Sequence, residues 1–293
     1  MNLLRVVRPF DPWKSPLCSC PPKLTVNPYT GCGHGCLYCY ASSYIKRFFE
    51  PRCKPRLLEN ASRDLEEVPQ GSVVELSASS DPLQPLELKH RETLKLLQLL
   101  LSRGFKVLIT TKAPHILLDY AEVLEKHKEK IAIAVTVTTI DEKLAKILEP
   151  GAPPPSLRLR ATAVLASIKL PVTIRLDPLI PFINDSYESI RSVVEEASRA
   201  GALQITVSTY KAKPDSLKRI ANAFSHLKED LYRLYRTEGE KQHSYMYLKR
   251  ELRLKILKRA KEVADELGLE FATCREGVLR GRAVCDGSGY IRK

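Results

Sequence analysis

Residues 24–40 read LTVNPYTGCGHGCLYCY, a short apolar segment, a turn, and then Cys32, Cys36 and Cys39 at CxxxCxxC spacing. Thiols grouped this tightly, in a chain that opens without an export signal, point to a metal ion or a cluster. Their number matters as much as their spacing. Three protein ligands on a four-iron cube leave one iron open to a small molecule, by the same logic that separates catalytic from closed zinc sites. The other set these residues allow is Cys₃His zinc with His34 as the fourth ligand. Structural zinc sites normally join two separated halves, whereas all four residues here share one loop, which favours His34 as a supporting group. Gly31, Gly33 and Gly35 suit a loop that wraps closely around a cube.

Working outward, the apolar segment before Cys32 and a helix after Cys39 form the first of a series of alternating units. Strands are predicted at 72–78, 105–111, 131–139, 171–179 and 203–209. Helices are predicted at 89–103, 115–129, 141–148, 156–168 and 186–200, with Gly104 and Gly201 as stops. Such alternation implies parallel strands joined by crossover helices, about six βα units in all. An open doubly wound sheet and a partial barrel both read this way. In either, catalytic and binding groups sit at the carboxyl ends of the strands.

The flanks differ in character. Residues 1–22 are proline-rich and carry Cys18 and Cys20, and read as an extended arm. Residues 23–235 form the main α/β unit. Residues 236–293 read as a C-terminal extension, with a long helix at 247–267 and a glycine-rich tail holding Cys274 and Cys285. Lys249, Arg250, Arg253, Lys258, Arg259 and Lys261 are expected on that helix's solvated face. The four thiols of arm and tail could converge as a second metal or cluster site, pair as disulfides, or remain ordinary thiols.

Composition sets outer limits. The 293 residues carry 47 Lys and Arg against 34 Asp and Glu, a net +13, which would concentrate anionic partners such as nucleic acid around the protein. No apolar run reaches membrane-spanning length and no signal-peptide core opens the chain, so a cytoplasmic protein with no membrane partner is expected. Eight cysteines in that setting favour metal or redox chemistry over a disulfide frame. Two Met among many charged residues give a thermophile-like usage.

CxxxCxxC with an aromatic residue before its third cysteine, here Tyr38, resembles the radical S-adenosylmethionine superfamily. NPYTGCGHGCLYCYA at 27–41, SASSDPLQPLE at 77–87, ITTKA at 109–113, EPGAPPPSLRL at 149–159 and LIPFIND at 179–185 resemble its branch that includes spore photoproduct lyase. The resemblance implies an α/β partial (β/α)6 barrel and a [4Fe–4S] cluster on Cys32, Cys36 and Cys39. It also implies S-adenosyl-L-methionine on the open iron, reductively cleaved to a 5′-deoxyadenosyl radical that abstracts hydrogen from substrate. An electron donor such as a ferredoxin or flavodoxin follows from that chemistry. The substrate does not follow, and a nucleic acid or nucleotide-like anion suits the charge. A non-catalytic, zinc-stabilised nucleic-acid-binding protein is the reading from a different class.

Site candidates follow from the same resemblance and from strand ends. Lys112, just beyond strand 105–111, matches the lysine that pairs with the methionyl carboxylate. Ser80 and Asp81, after strand 72–78 with Ser79, fall where the branch binds the cofactor's amino group, although Ser-Ser-Asp-Pro is also an ordinary turn. Thr136 and Thr138 offer hydroxyls to the ribose or to a core partner. Tyr38 is a stacking surface for adenine, and Tyr40 belongs to the core or to the radical cavity. Arg175 and Asp177 share a strand face and are expected to pair. Ala78 stands where the lyase carries the cysteine that returns hydrogen to product, so lyase chemistry does not transfer directly. Cys53 is the other donor considered, in a segment read as an exposed loop.

Overall fold

The computed structural model describes residues 6–10 and 15–291; residues 1–5, 11–14, 292 and 293, which include part of the proline-rich arm, lie outside that description. Eight strands form one sheet: β1 Arg8–Pro9, β2 Leu24–Val26, β3 Val73–Leu76, β4 Lys106–Thr111, β5 Ile131–Thr136, β6 Val172–Leu179, β7 Gln204–Thr209 and β8 Glu270–Thr273. Their spatial order is their chain order. β1 pairs antiparallel with β2 and every later neighbour pairs parallel.

That order decides between the two architectures left open by alternation. A doubly wound sheet reverses its strand order at a switch point. Here the order never reverses, so right-handed crossovers keep every connecting helix on one face and the other face turns inward. The sheet is an incomplete barrel, with β1 and β8 as its unjoined edges. The parallel strands are apolar runs: all six residues of β5 are buried, as they must be with helices outside and a packed interior within.

The predicted helices form with small shifts of boundary. Glu92–Ser102, Glu142–Leu148, Pro155–Ser167 and Tyr187–Arg199 match expectation. Asp141 caps one by accepting from the Lys143 and Leu144 amides, and Ser186 caps another by accepting from Ser189. Gly104 and Gly201 both take positive φ, at +83° and +76°, as helix stops should. Residues 115–129 are not one α-helix. Pro114–Tyr120 winds as a 3₁₀ helix, whose threefold repeat turns Pro114, Leu117 and Tyr120 inward together, and only Ala121–Lys126 is α-helical.

The C-terminal helix runs from Arg250 to Glu266. Arg253 is not on its solvated face. It is buried, donating from Nε to the Leu248 carbonyl at 3.0 Å and from Nη2 to Glu240 at 2.7 Å. Its long aliphatic stem lets an arginine occupy a core-facing position when its guanidinium finds such partners, which helical spacing alone does not reveal. Inside the segment read as a C-terminal extension, Glu270–Thr273 supplies β8 of the main sheet. Cys53 lies in a two-stranded ribbon, paired across from Tyr29, rather than in an open loop.

Candidate active site

The inward face of the sheet and the loops at its carboxyl edge enclose a cavity of about 410 Å³. Glu75 and Ser77, Thr110 and Lys112, Arg175 and Asp177, and Thr209 and Lys211 line it in pairs two residues apart, the period at which strand side chains return to one face. Cys32, Cys36, Cys39, His34, Tyr38 and Tyr40 line it from the loop after β2.

That loop is held from three sides. Gln84 takes the Gly33 amide on its Oε1 at 2.8 Å and donates from Nε2 to the Gly31 carbonyl at 3.0 Å. Gly31 has φ +80°, and a Cβ there would stand 2.4 Å from the Phe48 carbonyl oxygen, so no other residue fits without moving backbone. The 148–151 segment clamps the opposite side: Leu37 N donates to Leu148 O at 2.9 Å and Gly151 N to His34 O at 2.8 Å. Arg219 closes the end, donating to the Leu37 and Cys39 carbonyls, each at 3.0 Å.

His34 is a supporting group. Its Nδ1 lies 3.1 Å from the Gly151 carbonyl and its Nε2 lies 3.2 Å from Asp81 Oδ2. With Nδ1 against the Gly151 carbonyl and Nε2 facing the Asp81 carboxylate, the ring braces the loop rather than serving as a fourth ligand to the thiols. Asp81 is correspondingly full. Oδ1 accepts from Thr111 Oγ1 at 2.7 Å and from the Leu83 amide at 2.9 Å, and Oδ2 accepts from the Lys112 amide at 2.7 Å while facing His34. These contacts use the acceptor capacity of a carboxylate. Burial works to raise its pKa, and His34 with the three hydrogen bonds overcomes it, holding Asp81 at about 2.

Lys112 emerges beside the thiols. Burial opposes its charge, but Cys36, Glu149 and Asp81 nearby raise its pKa overall. Its ammonium lies 5.6 Å from the Tyr38 ring centre and, among the described residues, forms no ion pair. Tyr38 donates its hydroxyl to Glu149, which is paired with Arg158 at 2.5 Å in a fully buried network. Thr138 also donates to Glu149, at 3.1 Å, so it takes a core partner, whereas Thr136 lines the cavity. Ser80 donates to the Tyr29 carbonyl at 3.2 Å and lines the cavity with Ala78 and Ser79. Arg175 and Asp177 pair at 2.7 Å, as expected from their shared face.

Several participants escaped the sequence reading. Ser77 has φ +80°, is buried, lines the cavity, and its hydroxyl finds no hydrogen-bond partner among the described residues. It sits two residues from Ser79 in the same quoted segment, and only its backbone conformation sets it apart. Glu149, Gly151 and Arg158 lie in the EPGAPPPSLRL segment, whose likeness to a family was visible although its role as a clamp was not. Beside Cys39, Tyr40 meets Tyr44 at 6.4 Å and Tyr245 at 6.1 Å between ring centres, and the Arg275 guanidinium lies 5.6 Å from Tyr40 and 5.3 Å from Tyr245.

Residues 26–197 match the family model of the Radical SAM superfamily, and the chain belongs to that superfamily. It is similar to an uncharacterized protein of Acidianus two-tailed virus, 28% identical over 195 residues, which are 60% of this chain and 63% of that one. It is also similar to an uncharacterized protein of Mycobacterium tuberculosis strain H37Rv, 26% identical over 200 residues, 64% of this chain and 58% of that one. The chain thus spans about six tenths of the length of these relatives. Among solved structures it resembles a spore photoproduct lyase mutant with bound AdoMet and dinucleoside spore photoproduct. The TM-score is 0.69 at 16% identity, over 93% of this chain and 79% of that one. It also resembles SuiB of Streptococcus suis bound to S-adenosylmethionine, with TM-score 0.54 at 18% identity over 85% of this chain and 49% of that one. These likenesses establish the fold.

Membership implies a [4Fe–4S] cluster and S-adenosylmethionine, and the residues present fit both. Burial pushes the Cys32 thiol up to about 12 and raises Cys36 and Cys39 as well, so these are poor free nucleophiles, whereas a bound cation would supply the charge that stabilises their thiolates. Among the described residues no group of His, Cys, Asp or Glu, this trio included, is already closed around one point. Beside the trio, the buried Ser77 hydroxyl and the Lys112 ammonium, which among the described residues have no hydrogen-bond partner and no ion pair respectively, are what a polar zwitterionic ligand requires. No helix among the described residues is long and apolar enough to cross a membrane.

Proposed function

We propose that this chain is a radical S-adenosylmethionine enzyme acting on a nucleic acid or a nucleotide-like anion. The observation that carries the first half is the convergence of three thiols from one loop with Lys112 and Ser77 on a single cavity. In this reading Cys32, Cys36 and Cys39 hold the cluster and Lys112 pairs with the methionyl carboxylate. Ser77 and Ser80 meet the amino group, Thr136 meets the ribose, and the Tyr38 ring flanks adenine. Asp81 acts on the cofactor indirectly, by fixing His34 and the Lys112 backbone. When bound, the cluster supplies the electron that cleaves the sulfonium and so yields the 5′-deoxyadenosyl radical. The protein's own work is to fix the sulfonium and to keep water from the cavity.

The substrate half rests on the net charge of +13 and on Tyr40, Tyr44 and Arg275 in the cavity wall, backed by the buried Tyr245. Aromatic faces with a guanidinium stack bases and attract phosphate. The dinucleoside carried by the similar lyase favours the same class. Ala78 in the cavity wall argues that the reaction differs from that lyase's. A cytoplasmic setting and a ferredoxin or flavodoxin as electron donor complete the reading.

The test is anaerobic reconstitution with iron and sulfide, reduction, and chromatography for 5′-deoxyadenosine. Wild type is expected to bind about four irons and release 5′-deoxyadenosine, and Cys36→Ala to do neither while keeping its circular dichroism. A wild-type chain that binds one zinc and never cleaves the cofactor would establish the zinc-stabilised alternative. Stimulation of cleavage by oligonucleotides or nucleotides, against peptides, tests the substrate class.

A further inference from the structure

Four thiols outside the cluster loop come from the two ends of the chain. Cys18 and Cys20 precede β2, Cys274 directly follows β8, and Cys285 lies 265 residues beyond Cys20. Nevertheless the Cys20 and Cys285 sulfurs stand 3.4 Å apart. Cys18 acts electrostatically on Cys20 and Cys274 on Cys285, and Cys18, Cys20 and Cys274 line one cavity. The four therefore form a run of neighbours, Cys18 to Cys20 to Cys285 to Cys274, and all are free thiols. We propose that they constitute a second, mononuclear metal site, a tetrathiolate for one thiophilic divalent ion, zinc or ferrous iron.

The spacing selects this form over its rivals. Four sulfurs about 2.3 Å from one ion stand roughly 3.8 Å apart along the edges of a tetrahedron. The 3.4 Å pair is close to that edge, and much longer than the ~2.05 Å of a disulfide. Thiolates capping separate irons of a cube are held farther apart, because each sits on a different metal. Among the described residues the four do not yet surround one point, so binding has to draw Cys18 and Cys274 in toward the Cys20–Cys285 pair.

The surroundings are built for it. The tail is fixed at Cys285, whose carbonyl accepts from Thr206 Oγ1 at 2.9 Å and from Arg175 Nη1 at 3.3 Å. Cys274 is fixed by its amide, which donates to the Val207 carbonyl at 3.1 Å. The arm is fixed by Lys23, which pairs with Glu75 at 3.1 Å and with Asp286 of the tail. Four thiolates on a divalent ion carry two net negative charges, and the thiol protons leave to solvent on binding. Arg175 acts electrostatically on Cys20, Cys274 and Cys285, Lys23 on Cys20, and Arg275 on Cys274, so the excess charge is met by cations already present. Cys18, Cys20 and Cys274 line the same cavity as Cys32, Cys36 and Cys39. A bound ion would thus tie arm to tail along the cavity wall, independently of the radical cluster.

The test uses the full chain with Cys32, Cys36 and Cys39 all changed to Ala, so that its result does not depend on the radical reading. The anaerobically purified, metal-stripped protein is titrated with Co²⁺, whose visible spectrum reports tetrahedral thiolate coordination, and then with Zn²⁺. One equivalent of Co²⁺ with thiolate charge-transfer bands is expected, displaced by Zn²⁺, weakened at least a hundredfold by Cys20→Ser or Cys285→Ser, and unchanged by Cys53→Ser. Metal analysis of the protein as isolated then distinguishes zinc from iron. Absence of binding, binding that survives Cys20→Ser together with Cys285→Ser, incorporation of sulfide with several irons, or a Cys20–Cys285 disulfide in protein isolated without oxygen would each overturn the proposal. If the triple variant does not fold, zinc-edge X-ray absorption compares the wild-type chain with Cys20→Ser together with Cys285→Ser, each at one equivalent of zinc: four sulfurs at about 2.3 Å that are lost in the variant support the site, and a spectrum the variant does not change refutes it.

Discussion

Replacing Asp81 by Asn removes a charge and almost no volume, and its consequences can be worked from the contacts around the carboxylate. Asp81 titrates at about 2 in the folded chain against an ordinary 3.8. That shift corresponds to roughly 2.5 kcal/mol favouring the ionised form. Asn adds a further cost. Its amide nitrogen must face either the Thr111 hydroxyl and Leu83 amide or the Lys112 amide and His34, and on either side it meets a backbone N–H, donor against donor. Leaving one such group unpaired costs about 1–3 kcal/mol. The expected destabilisation near neutral pH is therefore about 3.5–5.5 kcal/mol. Because the folded-state pKa is depressed, the ionised form's contribution is complete above the unfolded value and fades as pH falls through 3.8 toward about 2. Asn does not titrate, so the gap between the two proteins should stay constant down to about pH 5 and narrow by roughly 2.5 kcal/mol on further acidification. Urea denaturation followed by circular dichroism, on both chains without cluster, measures it. A gap below about 1 kcal/mol at neutral pH, or one that does not narrow on acidification, refutes the claim that Asp81 is an ionised anchor of the His34 and Lys112 backbone.

Three further outcomes follow from the same site. Lys112→Met should leave iron content unchanged and raise the dissociation constant of S-adenosylmethionine about 10- to 100-fold by anaerobic calorimetry, the loss of one charge-assisted contact worth about 1.5–3 kcal/mol; an unchanged constant would exclude Lys112 from the carboxylate site. Ser77→Ala should leave the cofactor-free melting temperature unchanged or raised, because its buried hydroxyl has no partner to lose, while weakening cofactor binding about 5- to 10-fold; a clear loss of stability without cofactor would assign Ser77 a structural role. Gly31→Ala combines a positive φ with a close approach to the Phe48 carbonyl, so it should cost at least about 2 kcal/mol and lower iron retention after reconstitution, read by urea titration and metal analysis.

Much of this arrangement was legible because it is local or periodic. The cluster trio sits in one loop, so spacing reveals it, and the parallel strands are continuous apolar runs that announce themselves. Lys112 and Thr136 were reachable through the rule that sites gather at strand carboxyl ends. What stayed hidden depends on distant partners. Nothing in the string shows that His34 turns toward Asp81, that Glu149 accepts from Tyr38 and Thr138, or that Arg253 is core. Each is a polar residue whose fate is set by groups brought together only on folding. β8 was hidden for a related reason: Glu270–Thr273 is too short and too far along the chain to be assigned to a sheet until β7 offers it an edge.

The sheet's unreversed strand order explains why one cavity can carry so much chemistry. With every crossover on the outer face, strands deliver residues to the interior at a period of two, and four of them lead to a polar pair: Glu75 and Ser77, Thr110 and Lys112, Arg175 and Asp177, Thr209 and Lys211, while β5 contributes Thr136 alone. In a closed barrel those positions would be filled by interlocking apolar layers. Leaving the barrel open removes that requirement, and polar groups can face a bound ligand instead of a core. Openness has its own cost, since edges and interior must be shielded. Here β1 covers β2, and the tail through Cys285 and Asp286 lies against β6, β7 and Lys23. The segments that shield the interior are therefore the ones carrying the four terminal thiols. A metal tie between them would stabilise the covered state where the two ends of the chain meet.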